Sequence, residues 1–97
     1  MQILWTEPAS QDLESIAAYI GADKPGAVAR QVLLIIDAVD DFIAQNPGTG
    51  RPGRVPGTRE LVVPGTRYIV AYRVRNRSLQ ILRVMHGVMK WPESFQD

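Results

Sequence analysis

Apolar and polar positions alternate with two different periods along this chain, and the switch between them divides it in half. Residues 2–6 (QILWT) read as a short strand. Glu7 and Pro8 then open a helix, because proline is tolerated in a first turn and an acid suits its positive end. Leu13, Ile16, Ala17 and Ile20 recur at helical spacing up to Gly21, where the helix is expected to stop. Asp23 is placed to cap a second helix, with Pro25 close behind it, and the periodic run extends to about Gln45 before Asn46, Pro47 and Gly48. Its stripe of Val32, Ile35, Ile36, Val39, Phe42 and Ile43 faces a core. Leu33 and Leu34 make the middle of this helix apolar most of the way round. That stretch therefore touches two neighbours within the fold, or offers one face to another chain.

After Pro47 the period changes. The segment PGTGRPGRVPG, residues 47–57, carries too many breakers for a regular element and reads as a basic loop. VPGTRELV at 55–62 is then echoed by VPGTRYIV at 63–70. Pro-Gly in a tight turn followed by a β-branched and aromatic run is a turn-then-strand signal, so the two copies predict adjacent strands of an antiparallel meander. The next strands run from about Thr66 to Arg75 and from about Leu79 to His86, joined through Asn76. The order strand–helix–helix–strand–strand–strand predicts an α+β fold in two layers, with the N-terminal strand and helical hairpin packed on a mostly antiparallel four-stranded sheet. Strict alternation places Tyr68, Val70, Tyr72 and Val74 on one side, and gathers Ile69, Ala71, Arg73, Ile81, Arg83 and Met85 on the open face. A face half apolar and half cationic is a candidate binding surface.

Composition adds limits to this picture. With 97 residues, 45% hydrophobic, the chain is expected to form a single domain over residues 1–97. It contains no cysteine, so disulfides, thiolate metal sites and cysteine nucleophiles are excluded. The expected address is the cytoplasm, away from any membrane, since the first residues lack an export signal and no apolar run approaches a bilayer span of about 18 residues. The net charge of +1 hides two opposed halves. Up to Pro47 there are two cations against seven acids, a net −5; beyond it there are nine cations, eight of them arginine, against three acids, a net +6. Arginine suits phosphate and carboxylate partners, so the second half points to an anionic or acidic partner.

Little classical chemistry is available. His86 is the sole histidine, which leaves no His-rich metal site and no HExxH zinc motif, and the sequence holds no GxxxxGK(S/T), GxGxxG or EF-hand loop for a nucleotide or calcium. Asp37, Asp40 and Asp41 fall on one helix face and read as solvated. A metal-free ribonuclease would need positive charge for the developing phosphorane and a group to activate a 2′-hydroxyl, for which Arg59, Arg83 and His86 are the available set. A nucleic-acid binding module without catalysis would need only the arginines and an apolar floor.

Trp5, the helix ending DLESIAAYI, the segment GRPGRVPGTRELVVPGTRYIVAYRV and the closing ILRVMHGVMKWP together resemble the RelE/ParE superfamily of toxins from bacterial type II toxin–antitoxin modules, over nearly the whole chain. The resemblance implies growth arrest by a toxin held inactive in a hetero-oligomer with its antitoxin, whose disordered tail folds on it, and with no cofactor. ParE-type members inhibit DNA gyrase and serve plasmid stabilisation, whereas RelE-type members cut mRNA on the ribosome. Here Val63 stands near the position of a RelE arginine, and His86, Gly87, Val88, Met89, Lys90, Trp91 and Pro92 replace the basic, tyrosine-bearing C-terminal cluster. The ParE type, with a ParD-like antitoxin and gyrase as target, is therefore expected, ahead of the RelE type. The expected antitoxin surface is Leu33, Leu34, Ile69, Arg73, Ile81 and Arg83. The expected target surface is Arg51, Arg54, Arg59, Lys90 and Trp91.

Overall fold

Thr6 is the point at which the first strand becomes a helix. In the computed structural model, which describes residues 1–87 and 90–95, β1 spans Gln2–Trp5 and α1 spans Glu7–Asp23. The Thr6 hydroxyl caps α1 by accepting from the Ala9 N–H at 3.3 Å, satisfying one of the helix's free donors. Val88 and Met89 of the closing motif lie outside the described residues, as do the side chains of Asp23 and Pro25 and with them the expected Asp23 cap.

Helix α1 runs past Gly21, and Gly21 has a different use from the expected stop. A Cβ there would lie 3.2 Å from Val28 Cγ2, so the glycine lets α1 lie close to the start of α2. A 3-10 turn over Pro25–Ala27 leads into α2, Val28–Asp37. The helix then widens into a π-helical turn over Ala38–Ile43, with the Ala44 N–H donating to Val39 O at 2.8 Å. The extra residue per turn holds Ile35, Val39 and Ile43 on one buried face. Phe42, expected in that stripe, is 50% exposed, while Ala38 is buried in its place. Asp37, Asp40 and Asp41 are exposed.

The repeat VPGT builds the same turn twice. In each copy proline precedes a glycine at positive φ, Gly57 at 80° and Gly65 at 79°. The threonine N–H returns to the valine carbonyl at 3.2 Å in the first copy and 3.1 Å in the second. These are type II turns, which require glycine at the third position. The first joins β2, Arg51–Pro52, to β3, Arg59–Val62; the second joins β3 to β4, Tyr68–Arg75. The segment expected to be an irregular loop thus contributes a strand, and the sheet has five strands rather than four. A two-residue turn at Asn76 and Arg77, both at positive φ, leads to β5, Ser78–His86. The order across the sheet is β1-β5-β4-β3-β2, antiparallel except for the parallel pair β1/β5.

Strict alternation fails in β5. Ala71 pairs with Arg83 and Tyr72 with Ile81, leaving Leu82 as an unpaired bulge residue. The bulge puts Leu79, Ile81 and Val84 together in the core with Val70 and Tyr72, beneath Ile16, Ile35, Val39 and Ile43. Ile81 therefore belongs to the interior and not to the open face.

Tyr72 anchors the strand ends to the chain leaving the helices. Its hydroxyl donates to Pro47 O at 2.7 Å and accepts from the Gly50 N–H at 2.9 Å. A Cβ on Gly50 would lie 2.5 Å from that hydroxyl and 2.8 Å from Glu60 O, so only glycine fits. Burial raises the Tyr72 pKa, opposed by the Gly50 hydrogen bond and the Arg59 charge. Gly50→Ala is expected to destabilise the fold by about 1–3 kcal/mol through overpacking, and Tyr72→Phe by roughly 1–2 kcal/mol through lost hydrogen bonds. Because the folded pKa lies above the unfolded one, this contribution is complete below about pH 10 and is lost as pH rises through the folded value. Urea denaturation between neutral and strongly alkaline pH should show a smaller alkaline loss in Tyr72→Phe than in the parent.

Candidate functional site

The basic half of the sequence does not present its arginines as one free cationic face. Glu60 sits opposite Arg51 on one side and Ala71 on the other, and Ala71 in turn sits opposite Arg83. The row across this face of the sheet is therefore Arg51, Glu60, Ala71, Arg83. The Glu60 side chain is only 1% exposed. It accepts from Arg51 Nη2 at 3.2 Å and from the backbone N–H of Arg54 at 2.7 Å, with Arg54 Nε 3.6 Å away. A buried carboxylate is tolerable only with such compensation, and here it ties β2 and the following turn onto β3.

Arg54 extends from that turn over the Trp91 ring, 4.2 Å from its centroid, a cation–π contact. Arg59, on the other face, donates to Gly50 O at 2.7 Å. Four of the five expected target residues, Arg51, Arg54, Arg59 and Trp91, are thus gathered around the β2–β3 end. Two of their three cations, Arg51 and Arg54, meet the single carboxylate of Glu60. The Arg51 and Arg54 side chains remain 55% and 43% exposed, and Lys90 is exposed.

Arg83 is committed elsewhere. Its Nε donates to Asp12 Oδ2 at 2.7 Å and its Nη2 to Asp12 Oδ1 at 3.0 Å, a bidentate pair with the first helix. That hydrogen bond pushes the guanidinium pKa up, against the opposing effect of partial burial. Asp12 Oδ2 also accepts the Val84 N–H at 2.9 Å. His86 lies edge-on to Tyr68, with ring centroids 5.8 Å apart. Arg59 is opposite Tyr72 and His86 opposite Tyr68, on different sides of β4. The two positions are about 14 Å apart along the strand and about 10 Å across it. The three residues of the ribonuclease set do not converge on one phosphodiester.

The six residues of the expected antitoxin surface are also dispersed. Ile81 is in the core, Leu34 packs against that core, and Ile69 is buried outside it. Arg83 holds Asp12, and Arg73 donates to Gln80 Oε1 at 2.8 Å. Leu33 is 55% exposed on α2. Sequence reasoning missed the organising acids, Asp12 and Glu60. Glu60 was visible as the one acid within the repeat, but Asp12 carried no local signal.

The helical hairpin against a five-stranded sheet has counterparts among solved structures. The structure is similar to that of the chromosomal ParDE TA system from P. aeruginosa, with a TM-score of 0.81 and 31% identity over 89% of this chain and 95% of that one. It is similar in fold to the toxin–antitoxin complex RelBE2 from Mycobacterium tuberculosis, with a TM-score of 0.63 and 22% identity over 88% and 95% of the two chains. "Putative toxin Y4kP" of Sinorhizobium fredii is 47% identical over 92 residues, 95% of this chain and 94% of the relative. Residues 3–91 match the family of the ParE toxin of the type II toxin–antitoxin system, parDE. The chain belongs to this ParE toxin family, within the RelE/ParE superfamily.

Asp12→Ala should lower stability by roughly 2–3 kcal/mol, less than for a fully buried pair because both side chains keep some exposure. Asp12→Asn keeps an acceptor for Val84 and should cost less. Urea midpoints of the three proteins test this, and equal midpoints for the two variants would show that the Val84 contact contributes nothing.

Proposed function

We propose that the protein is the toxin of a ParDE-like module, neutralised by a cognate ParD-like antitoxin, and that it arrests growth by inhibiting DNA gyrase. The observation that carries the choice of target is the separation of Arg59, Arg83 and His86. Arg59 serves Gly50, Arg83 serves Asp12, and His86 lies at the far end of β4 from Arg59. A metal-free ribonuclease needs its charge and its acid–base group within hydrogen-bond reach of the same phosphate. A protein that blocks its target by binding needs only a persistent surface. Arg51, Arg54 and Trp91 supply one, pre-shaped by Glu60 and still cationic, with Arg59 held by Gly50 at the same end of the sheet on its other face. Pre-organisation of this kind reduces the side-chain entropy lost on association. For the antitoxin, Leu33 on α2 supplies exposed apolar area.

Expression without the antitoxin should stop growth, and coexpression of the antitoxin should restore it. Purified toxin should inhibit gyrase supercoiling or trap cleaved DNA, while ribosome-bound mRNA stays intact in a translation assay. Intact gyrase activity together with cut mRNA would reverse the assignment. Harmless expression, with salt-sensitive binding to plain DNA, would favour a nucleic-acid binding module instead.

A further inference from the structure

A cavity lies away from the arginine platform and from the Asp12–Arg83 pair. It occupies about 690 Å³ between the second half of α1, the α1–α2 connection, the β3–β4 turn and the end of β5. This is within the range of about 300–1,000 Å³ in which small-molecule sites fall. Its lining has two characters. Ile16 and Ile20 give an apolar floor, and Tyr19, Tyr68 and His86 bring three rings to the same space. Lys24, from the helix connection, and Arg67, from the β3–β4 turn, bring two permanent cations from different elements.

None of the described residues that line the cavity is acidic, and the ion pairs described elsewhere in the fold use Glu60 and Asp12 with Arg51, Arg54 and Arg83. Lys24 and Arg67 therefore favour an anion, and the arginine fork suits phosphate oxygens. A bare anion would leave the apolar wall uncovered, while a neutral ring would leave the cations without a counter-charge. A ligand with a planar ring at one end and an anion at the other meets both demands. Tyr68 remains a neutral hydroxyl donor, since burial first and then the neighbouring Tyr19 hydroxyl raise its pKa. Ser15 and Gln31 add neutral polar groups to the wall.

We propose that this cavity binds a small phosphorylated aromatic ligand of the nucleoside monophosphate class, with Lys24 and Arg67 holding the phosphate and Tyr19, Tyr68 and His86 bordering the base. The site is separate from the proposed target surface and does not depend on gyrase or the ribosome being the target.

The test is titration of the full-length toxin, freed from its antitoxin, with AMP and GMP, followed by calorimetry and by NMR of the Tyr68 and His86 rings. Adenosine and inorganic phosphate are the control probes. Saturable binding that shifts both rings, with adenosine and phosphate each at least roughly tenfold weaker, is the expected result. Lys24→Ala combined with Arg67→Ala should weaken AMP by roughly tenfold or more, with an unchanged circular dichroism spectrum. Tyr19→Ala, at an exposed rim position, should weaken it without touching the charges. Phosphate binding as tightly as AMP would overturn the proposal, as would no saturation by about 10 mM nucleotide. So would affinity for nucleotide that is unchanged in the double variant. If neither nucleotide binds and the double variant instead loses antitoxin, the cavity is part of the antitoxin interface and the proposal fails, leaving the gyrase reading untouched.

Discussion

Strand β5 outlasts its neighbour. The parallel partner β1 covers only Ser78–Ile81, and from Leu82 to His86 no strand among the described residues pairs with that edge. Buried edge groups must be satisfied, and two side chains on the path of the first helix do it. The Thr6 N–H continues the ladder to Ile81 O at 3.1 Å, and its hydroxyl lies 2.8 Å from Ile81 O and 3.2 Å from Leu82 O. One turn and a half further on, Asp12 takes the Val84 N–H while holding Arg83. The bulge at Leu82 falls between these two contacts. Helix α1 is thereby registered on the sheet by polar contacts as well as by Ile16 and its apolar neighbours.

The other end of the sheet uses the same device with the opposite charge order. Glu60 is an acid enclosed by the basic half, and it draws Arg51 and the Arg54 backbone onto β3. Arg54 then covers Trp91, whose indole N–H is buried without a hydrogen-bond partner among the described residues. Val55, Ile69, Ala71, Leu82 and Met85 are buried outside the helix-side core. This second buried set explains why the face expected to be open is not a simple binding floor. The charge asymmetry of the chain is partly consumed inside the fold, by Asp12 with Arg83 across 71 residues and by Glu60 with its two arginines.

Those internal pairs bear on function as much as on stability. Arginines engaged with Glu60 are held in place yet remain half-exposed, which favours recognition over proton chemistry. The arginine at Asp12 is spent on the edge of the sheet. A different pair of cations, Lys24 and Arg67, stands beside the aromatic cavity, where none of the described lining residues is acidic. The fold and the site thus impose separate requirements on the chain.

Much of the architecture was legible from local pattern. Periodicity marked both helices, and the twice-used VPGT marked two turns of one type, because proline fixes φ and the glycine after it readily accepts a positive one. Asn76 marked the final hairpin for the same reason. The short β2 strand was hidden among breakers. The face of Ile81 was misassigned because a period of two carries no trace of a bulge, and Phe42 because a helical period carries none of a π turn. The sequence by itself determined the elements, their order and the family, since these rest on short-range backbone preference and on spacing. Only the tertiary structure decided which arginines are free, which isoleucine is inside and where a cavity opens. Those depend on partners far apart in the chain, and the register that brings them together is a property of the packed layers.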